Sequence, residues 1–545
     1  MLRDKNIYLF IVLTIFFFLT RFYHYDQFPP ANDEAFIVDY TVSVATDFEQ
    51  YKFFSYTANN QFKPPLQYWL GSVFLTGQTE NPFNRCRLFL IVFSTIVFLI
   101  LLLFLKSQYT MRSALIFAVL YLFSFLSLFY QRLFLNEGFI LNLVILYYAS
   151  CHLFFYAKQN RWLWFVSAII FGTSLILVKV SGKAFFIIPP VLLVTSTMGG
   201  FTFSDGRKLF DLKLLKNTLL TLMIVITPFL LFKLILPADM ILEASKDPLI
   251  KKWSFSVADP AFWDWHRFFD FAVFVKRIAL THVQTAGSLY TFFLATLTIA
   301  ATVLMVIKRH FTKSTFIPLL IFLSTLLPTM LFFKGLFKAR FYLPYSIFLL
   351  LAFAIFIDVA IDWLWKRKWK VPAIIFCLLL LFSIFEKAPM AYRYYNVEID
   401  HPDFCPDVLC RDMVTHGQSL NVWPTVDCLK KLEPGLLFHD SFLGIPANAI
   451  HALQPYMFKH LELMGLGETN SIKLMQYSTD AIKKYYKDKK GYQHLYLLIE
   501  HGVWPSGRTQ WKERLMSSPL CQNQIDIKHG YKISTLSKNV LCTVF

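Results

Sequence analysis

Pro29-Pro30-Ala31-Asn32-Asp33-Glu34 and Phe62-Lys63-Pro64-Pro65-Leu66-Gln67-Tyr68-Trp69-Leu70 bracket a short polar stretch, and apolar sequence lies outside both. Ile7 to Thr20 is almost wholly apolar, so Asp33 and Glu34 fall just beyond a segment of membrane-crossing character. Lys63 then returns a cation to the same boundary, on a double proline that disfavours helix at the residue before it.

The surrounding composition settles the class. Of 545 residues, 56% are hydrophobic, 18% aromatic and only 16% charged. Mean hydropathy is +0.49, far from that of a soluble globular chain. The net charge of +18 follows from Lys and Arg gathered in short loops between apolar spans, and no basic helix or nucleic-acid motif accompanies it.

Apolar runs of crossing length occur at 7–23, 84–105, 113–131, 134–157, 162–180, 183–198, 217–236, 284–307, 315–333, 341–364 and 371–386. They predict an α-helical polytopic membrane protein of about 11 to 13 membrane helices. With the first span leading outward, every second loop is basic, from Arg3 and Lys5 through Lys106 and Arg112 to Lys366-Arg367-Lys368-Trp369-Lys370. The expected topology therefore has a cytoplasmic N-terminus, with a first outer loop at 24–83, a second at 237–283, and all residues after about 387 outside. No cleavable signal is recognised, so the first span is expected to remain as an anchor.

Residues 387–545 turn mixed polar and are long enough for one soluble α/β domain. Ser471 to Lys487 has a helical pattern, whereas Gln493 to Ile499 and Val540 to Phe545 have strand patterns. Five of the eight cysteines lie there: Cys405, Cys410, Cys428, Cys521 and Cys542. That bias suits an oxidising compartment and up to two disulfides; the spacings are poor for zinc.

Ionisable groups at a membrane boundary are costly and thus candidates for function. Asp33 and Glu34 have two readings: general base toward a hydroxyl or amine, or negative charge at the start of a helix near Ala35. Glu137, in Arg132-Leu133-Phe134-Leu135-Asn136-Glu137, has the same two. The outward cations Lys63, Lys179, Lys183, Lys334, Lys338 and Arg340 suit a phosphate, although lipid headgroups attract such residues too. Trp253, Trp263, Trp265 and His266 read first as an interfacial belt. Tyr68, Trp69 and His266 are candidate acceptor or sugar contacts.

Taken together, Asp33-Glu34, the Lys63-to-Leu70 segment, Asn84-Arg85-Cys86-Arg87-Leu88 and Arg132 to Glu137 resemble the GT-C glycosyltransferases of the dolichyl-phosphate-mannose protein mannosyltransferase type. That group includes the bacterial aminoarabinose transferases acting on lipid A. Leu177 to Lys183 and Lys338 to Pro344 look like later landmarks, and the resemblance covers about residues 1 to 385. It implies transfer of one sugar, with inversion, from a polyprenyl-phosphate carrier to a lipid, glycan or protein acceptor at the periplasmic face of a bacterial inner membrane. In that scheme Asp33 is the catalytic base with Glu34 beside it, and Glu137 is the second acidic position. Lys63 and Arg340, with Lys179 and Lys338, hold the carrier phosphate. Phe36 stands where the aminoarabinose transferases often carry Arg, which weighs against that sugar and against lipid A. No cofactor is implied with certainty; carboxylates beside a phosphate are compatible with a divalent metal, but no ligand set stands out. The rival class is a lipid or solute transporter, which calls for charges along a path and often an internal repeat.

Overall fold

The computed structural model describes residues 6–28, 30, 32–53, 64–75, 77, 81–198, 212–238, 267–308, 316–332, 339–396, 422–440, 444–466, 479–502, 514–527 and 537–544. In chain order its helices begin with α1 (Asn6–Phe22), α2 (Asn32–Thr46), α3 (Phe48–Tyr51), α4 (Leu66–Leu75), α5 (Pro82–Gln108), α6 (Met111–Leu122) and α7 (Phe125–Gln131). There follow α8 (Asn136–Tyr156), α9 (Arg161–Val178), a 3-10 turn (Val180–Ile187), α10 (Ile188–Met198), α11 (Leu212–Ile235), α12 (Arg267–Ala286) and α13 (Ser288–Lys308). The last apolar helices are α14 (Ile317–Phe332), α15 (Ala339–Lys366) and α16 (Lys370–Phe385), and α17 (Ala388–Tyr395) comes next. Each of the eleven apolar runs thus holds a helix. Six described helices are long and apolar enough to cross a membrane, or seven if the bent pair α6 and α7 is one span. This is a multi-pass membrane protein.

The chain divides into two compact units, the first of Met1–Tyr23, Lys52–Gln67 and Leu88–Ala391. In this unit α8 packs against α9, α10 and α15, and 89% of its apolar window is buried. A helix apolar on every side belongs inside a bundle. The window beginning at Lys370 is only 12% buried and leaves Leu378 and Phe382 exposed, as a hydrocarbon surround permits.

The 65° bend between α6 and α7 leaves backbone carbonyls to be satisfied away from water. Arg21 of α1, fully buried over the Phe17 ring, donates to the Tyr121 and Leu122 carbonyls and to Gln131 Oε1, each at 3.4 Å. At the start of α6, Thr110 accepts from Ser113 N at 2.9 Å as the helix cap. Asp358 of α15 accepts from Thr110, Ser113 and Arg112, which ties the two helices together.

The second unit gathers His24–Tyr51, Tyr68–Arg87 and Tyr392–Phe545. Its C-terminal part contains α18 (Val422–Leu429), β1 (Gly435–Asp440), α19 (Gly444–Met457), β2 (Leu461–Leu466) and α20 (Thr479–Lys483). It ends with β3 (Leu495–Gly502), β4 (Gln522–Ile527) and β5 (Ser537–Thr543). The sheet order is β2-β1-β3-β5-β4. β1 runs parallel to β2 and β3, while β5 is antiparallel to β3 and β4. β1, α19 and β2 form a crossover unit, the connection parallel strands require. Leu436, Phe438, Leu495, Leu497, Ile499 and Val540 fill one core, and Cys521 is disulfide-bonded to Cys542. Of the helical pattern expected over 471–487, the described part is α20 with the turn Lys484–Lys489 after it.

Candidate functional site

Asp33 and Glu34 occupy the first turn of α2, where negative charge complements the exposed backbone N–H groups. Their environments differ sharply. Glu34 is fully buried, and both of its oxygens are taken by one guanidinium: Arg87 Nε donates to Oε1 at 2.8 Å and Nη2 to Oε2 at 2.6 Å. Arg87 Nη1 donates onward to the carbonyls of Tyr25 at 3.0 Å and Phe28 at 2.9 Å. The bidentate pair and these extra bonds offset the desolvation of two buried charges. Asp33, one residue earlier, is half-buried.

Along α2 the buried positions include Glu34, Ala35, Ile37, Val38, Tyr40 and Thr41, whereas Asp33, Phe36 and Asp39 keep some exposure. Asp39 lies outside the motif residues, five positions after Glu34. Burial holds its carboxyl up to about 7, so it is close to half-protonated near neutrality.

The second cluster belongs to the first unit. Glu137, 4% exposed in the first turn of α8, accepts from Lys179 Nζ at 2.6 Å. Arg340 Nε, from the first turn of α15, stands 3.9 Å from the same Oε1. Two cations thus stand around one buried carboxylate. Lys179 keeps 26% of its side chain exposed, whereas Arg340 is 92% covered. Such a set, with its cations held by a buried carboxylate, is suited to an anion.

Tyr68 is buried edge-on against Tyr40 at 5.6 Å, and half-buried Trp69 lies 6.5 Å from the Phe48 ring. Lys63, Lys338 and His266 lie outside the described residues. Among the described residues, no group of three or more His, Cys, Asp or Glu side chains is arranged to hold a metal ion. The structure therefore brings Glu137, Lys179 and Arg340 together in the first unit and places Asp33 and Glu34 on one turn in the second. The residues whose part sequence reasoning missed are Arg87, present only as a motif landmark, and Asp39. A basic residue between apolar neighbours at the start of a span was the available signal for Arg87.

The arrangement of helices and sheet is a fold shared with solved structures that match nearly the whole chain. ArnT from Cupriavidus metallidurans in the apo state is 15% identical, with a TM-score of 0.51 over 98% of this chain and 97% of that one. The same protein bound to undecaprenyl phosphate gives 13% identity and a TM-score of 0.51 over 100% and 98%. The Archaeoglobus fulgidus oligosaccharyltransferase in complex with Zn and sulfate gives 14% and 0.52 over 90% of this chain and 67% of that one. No protein-family model and no curated protein sequence matches the chain.

Proposed function

We propose that the chain is an integral membrane glycosyltransferase that moves a sugar from a polyprenyl-phosphate carrier to a lipid, glycan or protein acceptor. The observation that carries this reading is the contrast on the first turn of α2. Glu34 is fully buried and locked to Arg87 through both oxygens, while Asp33 keeps part of its surface. One carboxylate anchors the turn, and the other can meet a substrate. The fold shared with a transferase solved with undecaprenyl phosphate bound supports the donor class.

In this reaction Asp33 takes the proton of the acceptor O–H or N–H as its lone pair attacks the anomeric carbon. The bond from that carbon to the phosphate oxygen breaks with inversion, and the electron pair leaves with the carrier phosphate. Lys179 and Arg340, held on Glu137 as the second acidic residue, stabilise the charge that develops there. Lys63 and Lys338 are assigned to the same phosphate, and Tyr68, Trp69 and His266 to sugar or acceptor. The orientation proposed is N-terminus inside and C-terminal domain in the periplasm of a bacterial inner membrane.

The test follows label from a radiolabelled polyprenyl-phosphate sugar pool in membranes carrying wild type, Asp33→Asn or Lys179→Ala. Wild type should consume the carrier. Asp33→Asn should lose about 10²- to 10⁴-fold in rate, the range for a positioned acid or base. Lys179→Ala should raise KM for the carrier. Wild-type activity in Asp33→Asn would remove the base from Asp33, and carrier left unconsumed with every common sugar would turn attention to transport.

A further inference from the structure

Four aromatic side chains, Phe28, Phe83, Tyr394 and Trp423, form a connected set beside the buried ion pair at the start of α2, and the last two come from the C-terminal domain. Trp423, in the first turn of α18, donates from Nε1 to the Phe28 carbonyl at 3.3 Å. That carbonyl is also the one that accepts from Arg87 Nη1 at 2.9 Å. The Phe28 ring, fully buried, packs on Tyr394 at 4.7 Å, and the Phe83 ring meets Trp423 edge-on at 6.1 Å. The Arg87 guanidinium lies 6.0 Å over Phe83. On the flank, α19 packs along α2 and against α18.

These contacts form one path, from Trp423 through the shared carbonyl to Arg87, then Glu34 and its neighbour Asp33. The links from the Phe28 carbonyl to Arg87 and on to Glu34 are short and buried, and the Trp423 bond at 3.3 Å is partly buried, so a shift at Trp423 reaches the ion pair through one shared carbonyl. The excluded water also strengthens the ion pair, because a low local dielectric raises both its attraction and the cost of breaking it.

We propose that Trp423 is a positioning residue: through the Phe28 carbonyl and the Arg87–Glu34 pair it sets where Asp33 stands, so the C-terminal domain helps to hold the catalytic carboxylate. This rests on the reading of Asp33 as the base. It gives the domain a part in the transfer step besides any contact with the acceptor.

The experiment uses Trp423→Phe, which keeps a ring and removes the N–H donor, with Trp423→Ala as the larger change. In the full-length protein, Trp423→Phe should lower kcat about three- to tenfold, the scale of one hydrogen bond, and leave KM for the polyprenyl-phosphate sugar unchanged. Combined with Glu34→Gln, its effect should be markedly less than additive, because both variants loosen the same pin; a purely structural role gives additive losses. A second readout needs no enzyme activity. Asp33→Cys is labelled with a maleimide in the presence and absence of Trp423→Phe, and the modification at residue 33 is followed by mass spectrometry. The labelling rate should change severalfold while the melting temperature holds. An unchanged labelling rate, or additivity with Glu34→Gln, overturns the positioning role. If wild type transfers no sugar yet labelling responds to Trp423→Phe, the positioning stands and the assigned reaction falls.

Discussion

At the scale of single residues, Asp33 and Glu34 share a motif but not a physical role. Glu34 and Arg87 have side chains with 0% exposure, so removing one partner strands a charge where water cannot reach it. Breaking such a pair costs about 3–5 kcal/mol. Glu34→Gln should therefore lower the melting temperature of the detergent-solubilised protein substantially. Asp33→Asn, which removes a half-exposed charge at a helix start, should lower it less. Equal melting temperatures for the two variants would mean that the burial contrast has no energetic weight. The acidic pair was legible in the sequence; its division was not, because Arg87 lies 53 positions away and only folding brings the two together.

Asp39 gives a pH dependence whose sign is fixed by its shift. Burial raises the carboxyl from its ordinary value of 3.8 to about 7, so between those values the folded state holds a proton that the unfolded state has released. That contribution to stability is fully present below pH 4 and is lost as pH rises through about 7. Asp39→Asn should flatten the fall in melting temperature from pH 5 to 8 and be the more stable protein at pH 8. Parallel pH profiles for the two proteins would show that Asp39 ionises as readily folded as unfolded.

At the scale of elements, the eleven apolar runs were legible as helices from their sustained apolar sequence, and six of the described helices, or seven with the bent pair, are long and apolar enough to cross a membrane. The bend between α6 and α7 was not. Phe123-Ser124 contains neither Gly nor Pro, and the group that satisfies the opened carbonyls, Arg21, comes from 100 positions away. A second junction depends on a distant partner in the same way. Glu386, just past α16, accepts from Ser288 N at 2.9 Å and Leu289 N at 3.1 Å, closing the start of α13. Gly287 permits this with a φ of +104°, and a Cβ there would fall 2.3 Å from Glu386 Oε2. Gly287→Ala should thus cost more than the roughly 1–2 kcal/mol of left-handed strain alone, because the carboxylate must also withdraw. Glu386→Gln, which keeps the shape but not the charge, should cost about 1 kcal/mol or less. Thermal unfolding in detergent ranks the two, and a smaller loss in the alanine variant would mean that this junction does not tighten α13.

At the scale of the whole molecule, composition shifts once, near residue 386, and a linear reading draws one boundary there. The compact units do not follow that line: His24–Tyr51 and Tyr68–Arg87 group with Tyr392–Phe545. No local signal announces this, since what draws the early segments in is tertiary. It consists of α19 lying on α2 and of Trp423 and Tyr394 closing over Phe28. A chain ended after Ala391 retains every element of the first unit but loses α18, α19 and the sheet. The bundle around α8 should then fold and resist protease, because its buried contacts lie within the first unit. Residues 24–51 should not, because α2 loses its packing partner and the Glu34–Arg87 pair loses part of its apolar cover. Limited proteolysis with peptide mapping should show new cuts in 24–51 and continued protection of 136–178. Equal protection of 24–51 in both chains would mean that α2 stands without the C-terminal domain, and Trp423 would then have no helix start to position.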